Sequence, residues 1–286
     1  MGERSLYYQP SGKVPTAGVV KVFAVGVPLM VADGLVYGIA SSYLSFNLLF
    51  GAVVLCGGAI SVAVAVRMLL QWGQVRNKAF DVAATLALAL VAAYFNWTGY
   101  LWAYSGWGFF LVNPLEIVDA MGVVLRETGG GWLSIALWVV EAAALIGVPL
   151  MMIGENLRPY CEVANAWTEE REDVARLVLR EDLRRALEAG DFDALSNAAP
   201  ADFSDFEHIP TVFMSLDTFR SPRDDGEHFI TVNRCVLSVG DEAKVEVEKT
   251  PLVEFLRVPF DVLERLPETA DEPYEAALEK FQLYSS

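Results

Sequence analysis

Residues 47–70, NLLFGAVVLCGGAISVAVAVRMLL, decide the fold class of this chain. This stretch has no acidic residue and one basic residue, Arg67, near its end. A helix needs about 20 mostly apolar residues to cross the ~30 Å hydrocarbon core of a bilayer. Residues 18–42, 79–104 and 132–154 form three further runs of the same character. The sequence therefore predicts an α-helical membrane bundle of four transmembrane helices across residues 18–154.

The rest of the chain is polar and strongly acidic. Residues 1–154 contain seven Lys/Arg and seven Asp/Glu, whereas residues 155–286 contain 14 and 30, so the second part carries the whole net charge of −16. We expect residues 155–286 to form an acidic cytosolic domain and residues 1–17 a cytosolic juxtamembrane segment. This acidity argues against nucleic acid as a partner, which would need a basic face. A salt-rich habitat would produce the same bias without any partner.

Basic residues near the ends of the four runs predict the orientation. One side carries a single basic residue, Arg126, and the other side carries Arg4, Lys13, Lys21, Arg67, Arg76, Lys78 and Arg158. The positive-inside rule then places both termini in the cytosol, with the protein in the bacterial inner membrane. The first run is too long for the apolar region of a signal peptide, so we expect it to remain as an anchor. Trp97, Trp102, Trp107 and Trp132 are expected to form an aromatic belt at the membrane interface.

The segment between the third and fourth runs predicts an interfacial helix near residues 113–127. Asn113 followed by Pro114 and Glu116 is typical of a helix start, and the glycines at 129–131 would end the helix. Its apolar and charged residues fall on opposite sides. We expect an amphipathic helix on the outer membrane face or over the mouth of the bundle.

Polar residues inside the runs are the candidate functional site. Asp33 and Glu141 lie at similar depth along their helices, and Asn47 and Asn96 could join them there. An ionisable group in hydrocarbon costs at least a few kcal/mol, and such groups commonly mark an ion or proton path. The alternative is that they join helices through hydrogen bonds. The chain lacks the repeats and broken-helix pairs that transporters usually show, so both interpretations stay open.

Residues 155–286 predict an α+β domain with a small antiparallel sheet. Apolar residues at helical spacing indicate a helix at 168–189, and a short helix follows Gly190 as far as Asn197. Alternating patterns then predict strands at 211–219, 229–239, 243–248 and 252–258. Helices are expected at 260–266 and 273–284.

Chemical motifs are sparse. Cys161, Cys235, His208 and His228 are weak candidates for a metal site, because they lack the paired spacing of zinc ligands. We therefore predict no metal and no cofactor. No Ser-His-Asp or Cys-His arrangement is recognisable, so we expect no enzymatic activity.

Three short motifs carry a resemblance. They are Tyr8-x-Pro10-Ser11-Gly12-Lys13-x-Pro15, Arg76-Asn77 and Pro159-Tyr160-Cys161-Glu162. In this layout the chain resembles a group of bacterial four-span membrane proteins that has no known activity. The resemblance implies C-x-x-C pairs after the last span and in the cytosolic strands, similar to a zinc ribbon. Here Ala164 follows Cys161 at that spacing and Cys235 has no near partner, so the implied domain is degenerate and holds no zinc.

These observations lead to one expectation and two alternatives. We expect an integral membrane protein, surrounded by the lipid bilayer, that anchors its acidic domain for interaction with a protein partner or a second copy through residues 155–286. The first alternative is a small proton or cation channel or carrier that uses Asp33 and Glu141. The second is a membrane-acting stress or defence effector.

Overall fold

The computed structural model describes residues 6–44, 48–129, 131–153, 158–205, 209–239 and 245–285. Contacts divide the chain into two units. The helical unit comprises residues 11–157, and the sheet unit comprises the residues from 158 onward together with those up to Pro10. The N-terminal residues thus belong with the C-terminal part of the chain.

The described residues of the helical unit form five helices. Four are long and apolar enough to span a membrane: α1 (Thr16–Leu44), α2 (Leu48–Trp72), α3 (Lys78–Tyr104) and α5 (Gly131–Met152). Each matches one of the four runs in the sequence to within a few residues. Asn77 begins α3, because its side chain accepts a hydrogen bond from the N–H of Phe80.

The helix α4 (Pro114–Thr128) lies between the last two apolar helices. The Asn113 side chain accepts a hydrogen bond from the N–H of Leu115, and Pro114 occupies the first turn. Gly129 ends the helix with a φ of 63°, a left-handed conformation that glycine adopts without strain. Ile117 and Val124 are buried on one side of α4.

The sheet unit is built on a four-stranded antiparallel sheet. Its strands are β3 (Glu169–Leu177), β4 (Val212–Arg220), β5 (His228–Val239) and β6 (Val245–Val258), in that spatial order. A small hairpin of β1 (Tyr160–Cys161) and β2 (Ala166–Trp167) precedes them. The helices of this unit are α6 (Leu183–Glu188), α7 (Asp193–Ser196), α8 (Phe260–Glu264) and α9 (Glu272–Ser285). The small antiparallel sheet predicted from the sequence is confirmed.

The predicted helix at 168–189 is wrong over most of its length. Residues 169–177 form β3, and only Leu183–Glu188 is helical. Ala175 and Leu177 are fully buried on one side of the strand, whereas Val178, counted in the helical pattern, is half exposed. A bulge near Asp173, whose φ is 51°, shifts the register. The end of the strand has three consecutive buried residues and therefore lacks the alternation by which a strand is predicted.

The two strands predicted on either side of Pro251 are one strand, β6. Pro251 lies opposite Asn233 of β5. β6 is at the edge of the four-stranded order, and the register shifts beside Pro251; edges and bulges are where sheets accept proline.

Both edges of the sheet are partly covered by the chain itself. At β6, Tyr7 bridges to Leu256, and the N–H of Tyr8 donates to the carbonyl of Phe255 at 2.9 Å. At β3, the N–H of Ala201 donates to the carbonyl of Arg176 at 2.9 Å. Covered edges are poor templates for pairing with another strand.

Candidate functional site

The helical unit contains a cavity of about 510 Å³ between α1, α2, α3 and α5, with α4 contributing at one end. This volume lies within the range of about 300–1,000 Å³ that is typical of small-molecule sites. Among the lining residues that the structure describes, Glu141 carries the one carboxylate. The lining consists of Tyr37, Ser41, Gly51, Ala52, Leu55, Asn96, Trp97, Tyr100, Val124, Thr128, Ser134, Leu137, Trp138, Val140 and Glu141.

Glu141 is held by side chains from two other helices. The Nδ2 of Asn96 on α3 donates to the Oε1 of Glu141 at 3.2 Å. The side chain of Tyr37 on α1 also hydrogen-bonds to Glu141. Tyr37 and Asn96 are at least nine-tenths buried. The Oδ1 of Asn96 is buried, and no residue in the described part of the chain hydrogen-bonds to it.

Aromatic rings form a second part of the lining. The rings of Trp97 and Trp138 meet edge to face with centroids 4.9 Å apart, and Tyr100 lies edge to face with Trp97 at 5.7 Å. Such pairs contribute about 0.5–1.5 kcal/mol beyond the area that they bury. The rings therefore form a rigid wall beside the carboxylate.

Close contact between α1 and α3 positions Asn96. A Cβ added at Gly34 would lie 2.3 Å from the carbonyl oxygen of Ala92, and one added at Gly38 would lie 2.0 Å from the carbonyl oxygen of Asn96. Gly99 on α3 is equally close to the backbone of Leu35. Small residues at this spacing let two helix backbones touch. The Asn96 side chain is consequently held at a defined distance from α1.

Basic side chains of the helical unit lie away from the cavity. Lys21 is near the start of α1, Arg67 near the end of α2, and Lys78 at the start of α3, whereas the cavity is lined by the opposite ends of these helices. Arg126 on α4 is exposed. Among the described lining residues, Glu141 therefore has no basic partner.

Asp33 occupies a different environment from Glu141. Its Oδ1 accepts a hydrogen bond from the hydroxyl of Ser61 on α2 at 2.7 Å, and Asp33 is not part of the cavity lining. The sequence placed Asp33, Glu141, Asn47 and Asn96 at similar depth. The structure brings Glu141 and Asn96 together and pairs Asp33 with Ser61, while Asn47 lies outside the described residues.

The weak metal candidates do not assemble. No group of three His, Cys, Asp or Glu side chains within the described ranges is arranged to hold a metal ion, and His208 lies outside those ranges. Both ring nitrogens of His228 are engaged, since Nδ1 accepts from the N–H of Ser221 at 3.1 Å and Nε2 donates to the carbonyl of Asp224 at 3.2 Å. Cys235 is buried in an apolar cluster, and this burial raises the pKa of its thiol.

Cys161 accepts hydrogen bonds at its sulfur. The N–H groups of Ala164 and Glu227 both donate to Sγ at 3.3 Å. Burial alone would raise the pKa of Cys161, but hydrogen bonds from Ser221, Glu227 and Ala164 outweigh it and lower the pKa. The sulfur joins the β1–β2 hairpin to the loop before β5.

A polar row crosses one face of the sheet. The N–H of Asp173 and the side chain of Asn233 both donate to Asp217, at 2.8 and 2.7 Å. Lys249 pairs with both carboxylate oxygens of Asp173, at 2.8 and 3.0 Å. Burial lowers the pKa of Lys249, but the hydrogen bond and charge of Asp173 prevail and raise it. Because its donors and acceptors satisfy one another, this row joins the four strands.

Sequence reasoning missed the aromatic lining of the cavity. Trp97 packs against Trp138 and both rings line the cavity, while the expected position of Trp97 at the membrane interface stays a prediction. One signal could have identified this wall: Trp138 and Glu141 are three residues apart on α5, so ring and carboxylate share one helix face.

The comparisons with known proteins add no relative. No family model matches the chain, and neither a curated protein nor a solved structure matches it. The resemblance to bacterial four-span proteins thus stays a prediction.

Proposed function

We propose that this protein is an integral protein of the bacterial inner membrane that anchors its acidic domain in the cytosol. The observation that carries the proposal is the apolar exterior of the helical unit. Val36 on α1, Met68 on α2 and Val139 on α5 are each more than three-fifths exposed. A soluble protein rarely exposes apolar patches of this extent, whereas lipid would cover them.

The pairing of residues 6–8 with β6 supports the topology. These residues precede α1 and the sheet follows α5, so both flanks of the four apolar helices belong to one folded unit. Two flanks that fold together must occupy one compartment, which agrees with an even number of crossings. The basic residues between α2 and α3 support the cytosol as that compartment.

The acidic domain would bind its partner through charge. Its sheet edges are partly covered, and the large apolar side chains exposed within its described part are scattered: Leu6, Val163 and Val178. A basic protein surface suits such a domain better than a second acidic copy, because like charges repel. This argument favours a protein partner over self-assembly.

Membrane fractionation tests the anchoring. The full chain should remain in the pellet after alkaline carbonate extraction and enter solution with detergent. Recovery of the intact chain in the supernatant would contradict the proposal.

Salt dependence tests the charge-driven partner. Cell membranes solubilised in mild detergent should yield a complex of the full chain that elutes early at low ionic strength and dissociates at about 0.5 M salt, where screening acts within a few Å. An elution volume that is identical at both salt concentrations would refute a partner bound by charge.

A second candidate function is favoured by one observation, the cavity that contains Glu141. A carboxylate in a cavity between apolar helices suits a carrier of protons or cations. Glu141→Gln should abolish cation flux into proteoliposomes. Asp33→Asn should leave the flux intact, because Asp33 bonds to Ser61 outside the lining. Equal flux in both variants and the unmodified protein would exclude this function.

A further inference from the structure

We infer that the cavity around Glu141 binds a small organic ammonium ion. This inference deepens the second candidate function, since it names the ligand class of the same site. Two features carry it: a carboxylate with no basic partner among the described lining residues, and a wall of aromatic rings beside that carboxylate.

Charge selects a cation with a single positive charge. The Glu141 side chain lines the cavity with Asn96 and Tyr37 as neutral partners, so in its ionised form it carries one negative charge that a monovalent cation would balance. A divalent metal ion prefers several oxygen ligands, six to eight for calcium. The described lining offers one carboxylate, and its other side-chain oxygens belong to neutral hydroxyl and amide groups, so it lacks the charge of a typical divalent site.

The rings select an organic cation. The face of Trp binds ammonium groups best among aromatic side chains, and Tyr follows; the interaction strengthens when the cation loses water. Trp97, Tyr100 and Trp138 lie in the lining together with Glu141. A cavity of about 510 Å³ is also far larger than a bare inorganic ion requires, and it matches a small molecule.

Asn96 adds an independent observation. The residue is 3% exposed and lines the cavity, yet its Oδ1 has no hydrogen-bond partner within the described chain. A buried acceptor without a partner costs about 1–3 kcal/mol. A small shift of the carboxamide towards an ammonium or hydroxyl donor beside Glu141 would satisfy this oxygen.

Binding of radiolabelled choline to the full chain in nanodiscs tests the inference. Choline has a neutral isostere of the same shape, 3,3-dimethylbutan-1-ol, in which carbon replaces nitrogen. Unlabelled choline should compete at least about tenfold better than the isostere, because only the charged compound gains Coulomb attraction to ionised Glu141 and cation–π attraction to the rings. Equal competition by the two compounds would overturn the inference without any variant.

Two matched variants locate the site. Glu141→Gln should weaken choline binding at least about tenfold, whereas Asp33→Asn should change it by less than about twofold. Unchanged binding in Glu141→Gln, or no binding by the folded unmodified protein, would also overturn the inference. The binding and flux measurements distinguish failure of this inference from failure of the carrier function. If only the carrier function is wrong, choline will bind to the protein but no flux will be measured in proteoliposomes.

Discussion

Gly38→Ala should destabilise the helical unit through one identifiable clash. The new Cβ would lie 2.0 Å from the carbonyl oxygen of Asn96 and 2.7 Å from the N–H nitrogen of Tyr100. Carbon–oxygen contacts normally begin at about 3.3 Å. The two backbones must separate by about 1.3 Å along this contact, because neither atom can rotate away. Overpacking of this kind costs about 1–3 kcal/mol.

Gly147→Ala is the matched control. Nothing lies within 4 Å of a Cβ added at Gly147, which is also inside an apolar helix. Both variants gain the same helix propensity, about 1 kcal/mol, so the difference between them measures the clash alone. Reversible unfolding in mixed detergent micelles gives this difference. We expect the free energy of unfolding of Gly38→Ala to be about 1–3 kcal/mol lower than that of Gly147→Ala. Equal stability would refute the close contact of α1 and α3.

Variants at three further positions test the sheet unit by thermal and denaturant unfolding of the full chain. Cys161→Ala should lower the free energy of unfolding by about 1–2 kcal/mol, because the N–H groups of Ala164 and Glu227 lose their hydrogen-bond acceptor. Cys161→Ser keeps an acceptor at this position and should recover part of this loss. Since the pKa of Cys161 is lowered, its advantage over alanine should be complete above the ordinary pKa of a thiol, about 8.5, and should be lost as pH falls through the lowered value. A difference that does not change with pH would contradict the lowered pKa. Tyr8→Ala should cost about 1–2 kcal/mol through its two edge-to-face ring contacts, and no change would argue against the covered edge of β6. Lys249→Met should cost less than about 1 kcal/mol, since the ion pair is partly exposed. Because the pKa of Lys249 is raised, its ion pair with Asp173 stabilises the fold at neutral pH, and this stabilisation should be lost only as pH rises through the raised value. A larger cost of Lys249→Met at high pH than at neutral pH would contradict this.

Composition predicted the helical unit well. Long apolar runs leave few alternatives to helices, and the bounds of α1, α2, α3 and α5 follow from where those runs end. The helix α4 was also predicted, because Asn113 and Pro114 start a helix and Gly129 ends one through their local conformational preferences. Glu141 and Asn96 stood out because polar residues are rare in such runs.

Long-range contacts were harder to predict. β3 contains Glu, Arg, Ala and Leu, which favour helices, yet pairing with β4 decides its conformation. The pairing of residues 6–8 with β6 joins positions almost 250 residues apart in the sequence, and no local sequence pattern indicates it. The aromatic wall depends on the packing of α3 against α5, so Trp97 alone could not reveal it.

Labelling of substituted cysteines tests the central claim most directly, namely that lipid surrounds the helical unit while the sheet unit stays in the cytosol. Asp119→Cys on α4 and Glu279→Cys on α9 replace two exposed acidic residues. The unmodified protein serves as the background, because Cys161 and Cys235 are buried and Cys56 lies on an apolar helix. A membrane-impermeant maleimide on spheroplasts should label Asp119→Cys at once, and Glu279→Cys only after the membrane is opened. Labelling of Glu279→Cys on sealed spheroplasts would contradict the account.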